Sequence, residues 1–158
     1  MKVASFFAAM LAATTAFGND FRGHAWGDGI KTVYDTHGSP LVHLADRLVY
    51  EMTVARELVL VGFVFDNGRL VQGEYILHLG GRPAPVALYE YDQLNGLFVM
   101  RYGLPRDQAR TPGPGGNRTD SAVELLSKWH TTHADVRHLL RGSTAGMDHS
   151  IVFTPMNG

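Results

Sequence analysis

Leu58-Val59-Leu60-Val61-Gly62-Phe63-Val64-Phe65, then Asp66-Asn67-Gly68, then Arg69-Leu70-Val71-Gln72-Gly73-Glu74-Tyr75-Ile76-Leu77-His78-Leu79 is the stretch that decides how this chain folds. The first run is almost wholly apolar and rich in β-branched and aromatic residues, which predicts a central strand covered on both faces. Asn and Gly tolerate positive φ, so Asp66-Asn67-Gly68 reads as a hairpin turn. The return strand places Val71, Tyr75, Leu77 and Leu79 on one face. Upstream, Leu48, Tyr50, Met52 and Val54 alternate with Val49, Glu51, Thr53 and Ala55, the period-2 pattern of a half-buried strand. Together these predict a three-stranded antiparallel meander.

Helices flank the meander. Ile30, Val33, Tyr34 and His37 recur at helical spacing behind Asp28, a candidate N-cap, and Gly38 followed by Pro40 stops the pattern. This predicts a short helix over about residues 28–37. After the break at Arg82-Pro83-Ala84-Pro85, the stripe Ala87, Tyr91, Leu94, Phe98 and Tyr102 predicts a longer helix over about 86–102, closed by Gly103 and Pro105. Residues 106–120, with Gly and Pro throughout 112–116, read as a surface loop. Ser121-Ala122-Val123-Glu124 has the spacing of a capping box, predicting a short helix. A strand near Trp129–Arg141, a turn at 142–146 and a last strand from His149 to Thr154 complete the reading. The expected fold is α+β, with short helices packed on an antiparallel sheet. The echo between His37-Gly38-Ser39-Pro40 and Tyr102-Gly103-Leu104-Pro105 raises the alternative of two related helix-plus-sheet halves.

The N-terminus sets the compartment. Met1-Lys2, an apolar run from Val3 to Ala13 interrupted only by Ser5, and small residues before Asn19 have the pattern of a secretory signal peptide over residues 1–18. The run falls short of the ~20 residues that span a bilayer. Residues 19–158 then form one domain, acting in the periplasm or after secretion. Without Lys2 its formal charge lies one unit below the −1 of the full chain. A nearly neutral chain carries no electrostatic footprint for nucleic acid or an anionic membrane. The absence of cysteine excludes disulfides, thiolate metal sites and a lipid-bearing Cys.

Phe21-Arg22-Gly23, Trp26-Gly27-Asp28, Phe65-Asp66-Asn67-Gly68-Arg69-Leu70, Tyr102-Gly103-Leu104-Pro105 and Trp129 follow one another in an order that resembles a group of small exported bacterial proteins, mostly uncharacterised. The likeness in layout extends to the β-lactamase-inhibitor-like fold, which includes the small lipoprotein subunit of the outer-membrane assembly machinery. The resemblance implies a fold and an envelope setting, and brings no catalytic residues with it.

Motifs for chemistry are sparse. His130, His133 and His138, with Asp135 between them, are the tightest histidine group, but their spacing suits neither one helix face nor one strand face. They remain the candidates for a small exported metal-binding protein or enzyme. His24 and Asp28 would share a site near Trp26, unless Asp28 serves as the helix cap. No Gly-x-Ser-x-Gly elbow, carboxylate pair or phosphate loop marks a catalytic or cofactor site. Asn117-Arg118-Thr119 matches a glycosylation sequon, which a bacterial setting makes idle. Trp26, Tyr89, Tyr91 and Trp129 serve either the core or a partner. Arg106, Arg110 and Arg118, with Tyr89, are the candidate contacts for an acidic partner. The leading expectation is a non-catalytic exported binding or accessory protein that meets another envelope protein.

Overall fold

The computed structural model describes residues 20–54, 57–112, 123–143 and 146–156. The segment read as a leader, residues 1–18, lies outside them, as do Gly113–Gly116, the sequon with Arg118, and Ser121-Ala122 of the expected capping box.

Helix α1 (Ile30–His37) leads into β1 (Val42–His43), β2 (Arg47–Val54), β3 (Glu57–Asp66) and β4 (Arg69–Arg82). Helix α2 (Ala84–Tyr102) leads into β5 (Asp107–Pro112), β6 (Val123–His130), β7 (Asp135–Ser143) and β8 (Gly146–Thr154). All eight strands form one antiparallel sheet in the order β1-β2-β3-β4-β8-β7-β6-β5. The expected α+β domain of short helices on a sheet is thereby corrected. The fold is β-dominated, and the strands behind the two helices join through the β4–β8 seam into a single sheet.

Two local readings account for the difference. Residues 107–112 are strand β5, not loop. Residues 123–130 are strand β6, not helix: Leu125, Ser127 and Trp129 are buried, while Glu124 and His130 are exposed. That period of two outweighs the coincidental Ser-x-x-Glu spacing. The predicted strand 129–141 is likewise two strands, because the chain reverses at Thr131–Ala134. There the Thr131 hydroxyl accepts the backbone N–H groups of His133 and Ala134.

The meander forms as its sequence dictates. Asn67 and Gly68 adopt φ of 49° and 74°, both left-handed, as a two-residue hairpin of matching twist requires. Gly68→Ala should cost about 1 kcal/mol in urea unfolding, because a Cβ is strained in that region. A cost near zero would show that the turn relaxes to another type. Gly38 and Gly103 close the helices at φ of 79° and 81°, and their N–H groups donate to Tyr34 and Val99 carbonyls. At the start of α1 the N-cap is Gly29, with no side-chain cap bond, so Asp28 does not act as the cap.

Both helices pack on one face of the sheet. Cross-strand register aligns Leu48, Phe63, Gly73, Phe153, Val136 and Trp129 on that face. The neighbouring row runs Tyr50, Val61, Tyr75, Ile151, His138 and Ser127. These residues are buried under Val33 of α1 and Ala87, Tyr91, Leu94 and Phe98 of α2. An ion pair from Arg82, at the end of β4, to buried Glu90 holds the start of α2.

Phe21 fills the centre of this face. A tight turn through Arg22 (φ 52°) and Gly23 (φ 89°) pairs Phe21 with His24 and drives the Phe21 ring onto the Gly73 backbone. It touches Phe63, Tyr75 and Phe153 at centroid distances of 5.4, 5.4 and 5.5 Å. A glycine lies in mid-strand here because the ring occupies the space of its missing side chain.

Candidate functional site

No helix lies over the opposite face of the sheet among the described residues. The prediction that β3 would be covered on both faces is thus corrected: Leu58 is 66 % exposed, and Leu60 and Val64 are half-buried. Two cross-strand rows define this uncovered face. One is mostly apolar: Glu51, Leu60, Ile76, Ser150, Leu139, Leu126 and Ala109. The other is Val49, Gly62, Glu74, Val152, Arg137, Lys128 and Asp107.

Charge along the second row is ordered. The Glu74 side chain folds over Gly62, where a Cβ would come within 2.5 Å of its carboxylate. Arg47 Nη1 lies 3.1 Å from Glu74 Oε1 and neutralises this nearly buried group. Toward β5 the sign becomes positive. Lys128 Nζ donates to Asp107 Oδ2 at 3.0 Å, whereas Arg137, directly opposite Lys128, has no side-chain partner among the described residues.

A cleft of about 700 Å³ opens there, lined by Arg106, Lys128, Arg137, His130, Asp107 and Asp135 among others. His130 and Asp135 pair at 2.6 Å. A second cleft, of about 600 Å³, lies across the β6–β7 turn, between His130, Thr131, His133, Arg101, Tyr102 and Asp20. Guanidinium and ammonium groups in the first cleft suit a carboxylate or phosphate, which a free Arg fork grips in bidentate fashion.

The predicted site residues disperse. His130 is exposed on the uncovered face, and His133 sits on the turn, where its carbonyl accepts Trp26 Nε1–H at 3.1 Å. His138 is wholly buried beneath α2, so the fold does not bring it to the other two. Among the described residues no group of three His, Asp or Glu gathers to hold a metal ion. Arg106 and Arg110 are exposed at β5, Arg118 lies outside the described residues, and Tyr89 is exposed on α2, on the helix side of the sheet. Trp129 and Tyr91 are core residues, and Trp26 is half-buried.

Two histidine pairs beneath the helices escaped sequence reasoning. In the first, His24 Nδ1–H donates to Asp28 Oδ2 (3.2 Å), and His24 Nε2 and His37 Nε2 share a hydrogen bond at 3.1 Å. His24 and Asp28 do share a site, with His37 as its unforeseen third member. Burial, with His24 and Arg22 nearby, lowers the His37 pKa to about 4. In the second, His138 Nδ1–H donates to Asn95 Oδ1 (3.3 Å), so its Nε2 accepts from His149 Nε2–H at 2.7 Å. Tyr91 stacks on His138 at 4.0 Å and bonds Ser127 through its hydroxyl. Burial, then the neighbouring His149, pushes the His138 pKa well below its usual range. The first pair lies against Phe63 and Tyr50 and stays partly open at His37, whereas the second is enclosed by Tyr91 and Phe98. The only sequence signal for the second is parity: His138 and His149 fall among the apolar, inward positions of their strands.

No family model, no curated protein and no solved structure matches this chain.

Proposed function

We propose that the protein is an exported binding or accessory module of the bacterial envelope, engaging another protein through the uncovered face of its sheet. One observation carries the reading: both helices pack on the same face, so the apolar row through Leu60, Ile76, Leu139 and Leu126 is left without a covering element among the described residues. A broad, mixed apolar and charged face has the anatomy of a protein interface. The envelope setting is the one that the leader-like N-terminus and the Phe21-Arg22-Gly23 opening imply.

Purified residues 19–158, immobilised and exposed to envelope extract, should retain one stoichiometric partner. Leu139→Glu points into the open face, so it should keep the circular dichroism spectrum and weaken capture by about tenfold or more, as expected at an interface centre. Undiminished capture by a folded Leu139→Glu protein would place the interface elsewhere.

A further inference from the structure

Strand β5 ends the sheet, and among the described residues nothing pairs with its outer side. Such an edge presents a row of unpaired N–H and C=O groups, a template for another strand. Pro112 supplies no N–H, so the usable template is Asp107–Thr111.

Charge shows what this edge is suited to receive. Arg106 and Arg110 are exposed and have no side-chain partner among the described residues. Guarding an edge against self-association requires charge on the edge strand alone. Yet Arg137 stands two strands in, on β7, directly opposite Lys128. Like charges facing each other across a ladder are unfavourable, and here no carboxylate reaches Arg137 to relieve them. The two carboxylates of the cleft are already engaged, Asp107 by Lys128 and Asp135 by His130. Arg106, Lys128 and Arg137 outnumber the carboxylates Asp107 and Asp135, so the cleft keeps a net positive charge beside a free strand edge.

From this juxtaposition we infer that β5 accepts an extended acidic segment of a partner protein by strand addition, with one of its carboxylates seated between Arg106, Lys128 and Arg137. Backbone pairing supplies the affinity and the cationic cleft selects the sequence. The inference rests on the binding-module reading and gives that partner a chemistry.

The test uses synthetic peptides the length of β5 with residues 19–158. An alternating Glu/Val peptide should shift the amide NMR signals of Asp107–Thr111 and bind more weakly as salt is raised. A Lys/Val peptide should not bind, nor should a Glu/Val peptide N-methylated at alternate amides. Arg137→Gln, a surface change that should leave the fold intact, should raise the Kd about tenfold. Equal binding of the acidic and basic peptides would overturn the inference. So would equal binding of the N-methylated peptide, or of inorganic phosphate in its place, since either reduces the site to anion binding without strand addition. Self-association of an Arg106→Gln/Arg110→Gln protein, together with no peptide binding by the unaltered protein, would show that the arginines only guard the edge. A partner still captured through Leu139 in the absence of peptide binding would leave the module standing and remove this site alone.

Discussion

Gly73→Ala should destabilise the protein by about 3 kcal/mol, at the upper end for overpacking, although it adds a single methyl group. The new Cβ would lie 2.2 Å from two atoms of the Phe21 ring, a contact that nothing but displacement of the ring can relieve. Phe21 is fully buried and wedged among Phe63, Tyr75 and Phe153, so the ring has nowhere to go. Phe21→Ala, which empties the same space, should cost roughly 3–5 kcal/mol. Because the two residues compete for one volume, the penalties should not add. In the Phe21→Ala background, Gly73→Ala should cost under about 1 kcal/mol. Urea unfolding of the four proteins measures the cycle, and additive penalties would mean that the ring does not rest on Gly73.

Acid should unfold the protein earlier than its carboxylates alone would dictate. His37 and His138 both titrate lower in the folded state than the ~6.5 of an unfolded histidine. As pH falls below that value, the unfolded chain takes up protons that the folded one refuses, so stability drops with the pH. For His37 the window runs from about 6.5 down to its folded pKa of about 4. His37 is only half-buried, and water screens part of its contribution. His138 is wholly enclosed, and if it stays neutral it alone removes about 2 kcal/mol by pH 5. A His37→Gln/His138→Gln protein should be weaker at pH 8 and lose less stability between pH 7 and pH 5. Parallel curves for the two proteins would assign the acid sensitivity to other groups.

How far the fold could be read from the sequence followed burial. Strands β2 and β4 were legible because one face is buried, which imposes the alternation, and β3 was legible through its nearly unbroken apolar run. Asn67-Gly68 supplies turn chemistry with few substitutes. The helix ends were legible for the same reason: Gly38 and Gly103 stand at positions that disfavour a Cβ. Strand β5 was not, because Asp107–Arg110 is exposed throughout and an exposed edge leaves no hydrophobic period. The β6–β7 reversal was hidden because its turn uses the Thr131 hydroxyl in place of Gly or Pro. The candidate site was legible only in part. Arg106 and Arg110 stood out as charges in a polar stretch. Arg137 and Lys128 gained meaning only when the register set them opposite each other, and register is a property of pairs of strands. The expectation that β3 was doubly covered failed on chemistry that composition shares: Leu and Val suit a core and an interface alike.

The seam between β4 and β8 also sets the order in which the molecule can assemble. Strand β8, the last in chain order among the described residues, lies in the interior of the sheet, and it alone joins β1–β4 to β5–β7. Its partner on one side, β4, precedes it by some seventy residues, as in Tyr75 beside Ile151, a contact of long loop closure and slow formation. Whatever presents this chain N-terminus first, ribosome or export channel, therefore presents a molecule that cannot complete itself until Phe153 has emerged. Until then the inner face of β4 and its Tyr75 lack their β8 neighbours, a state that a holding chaperone would recognise.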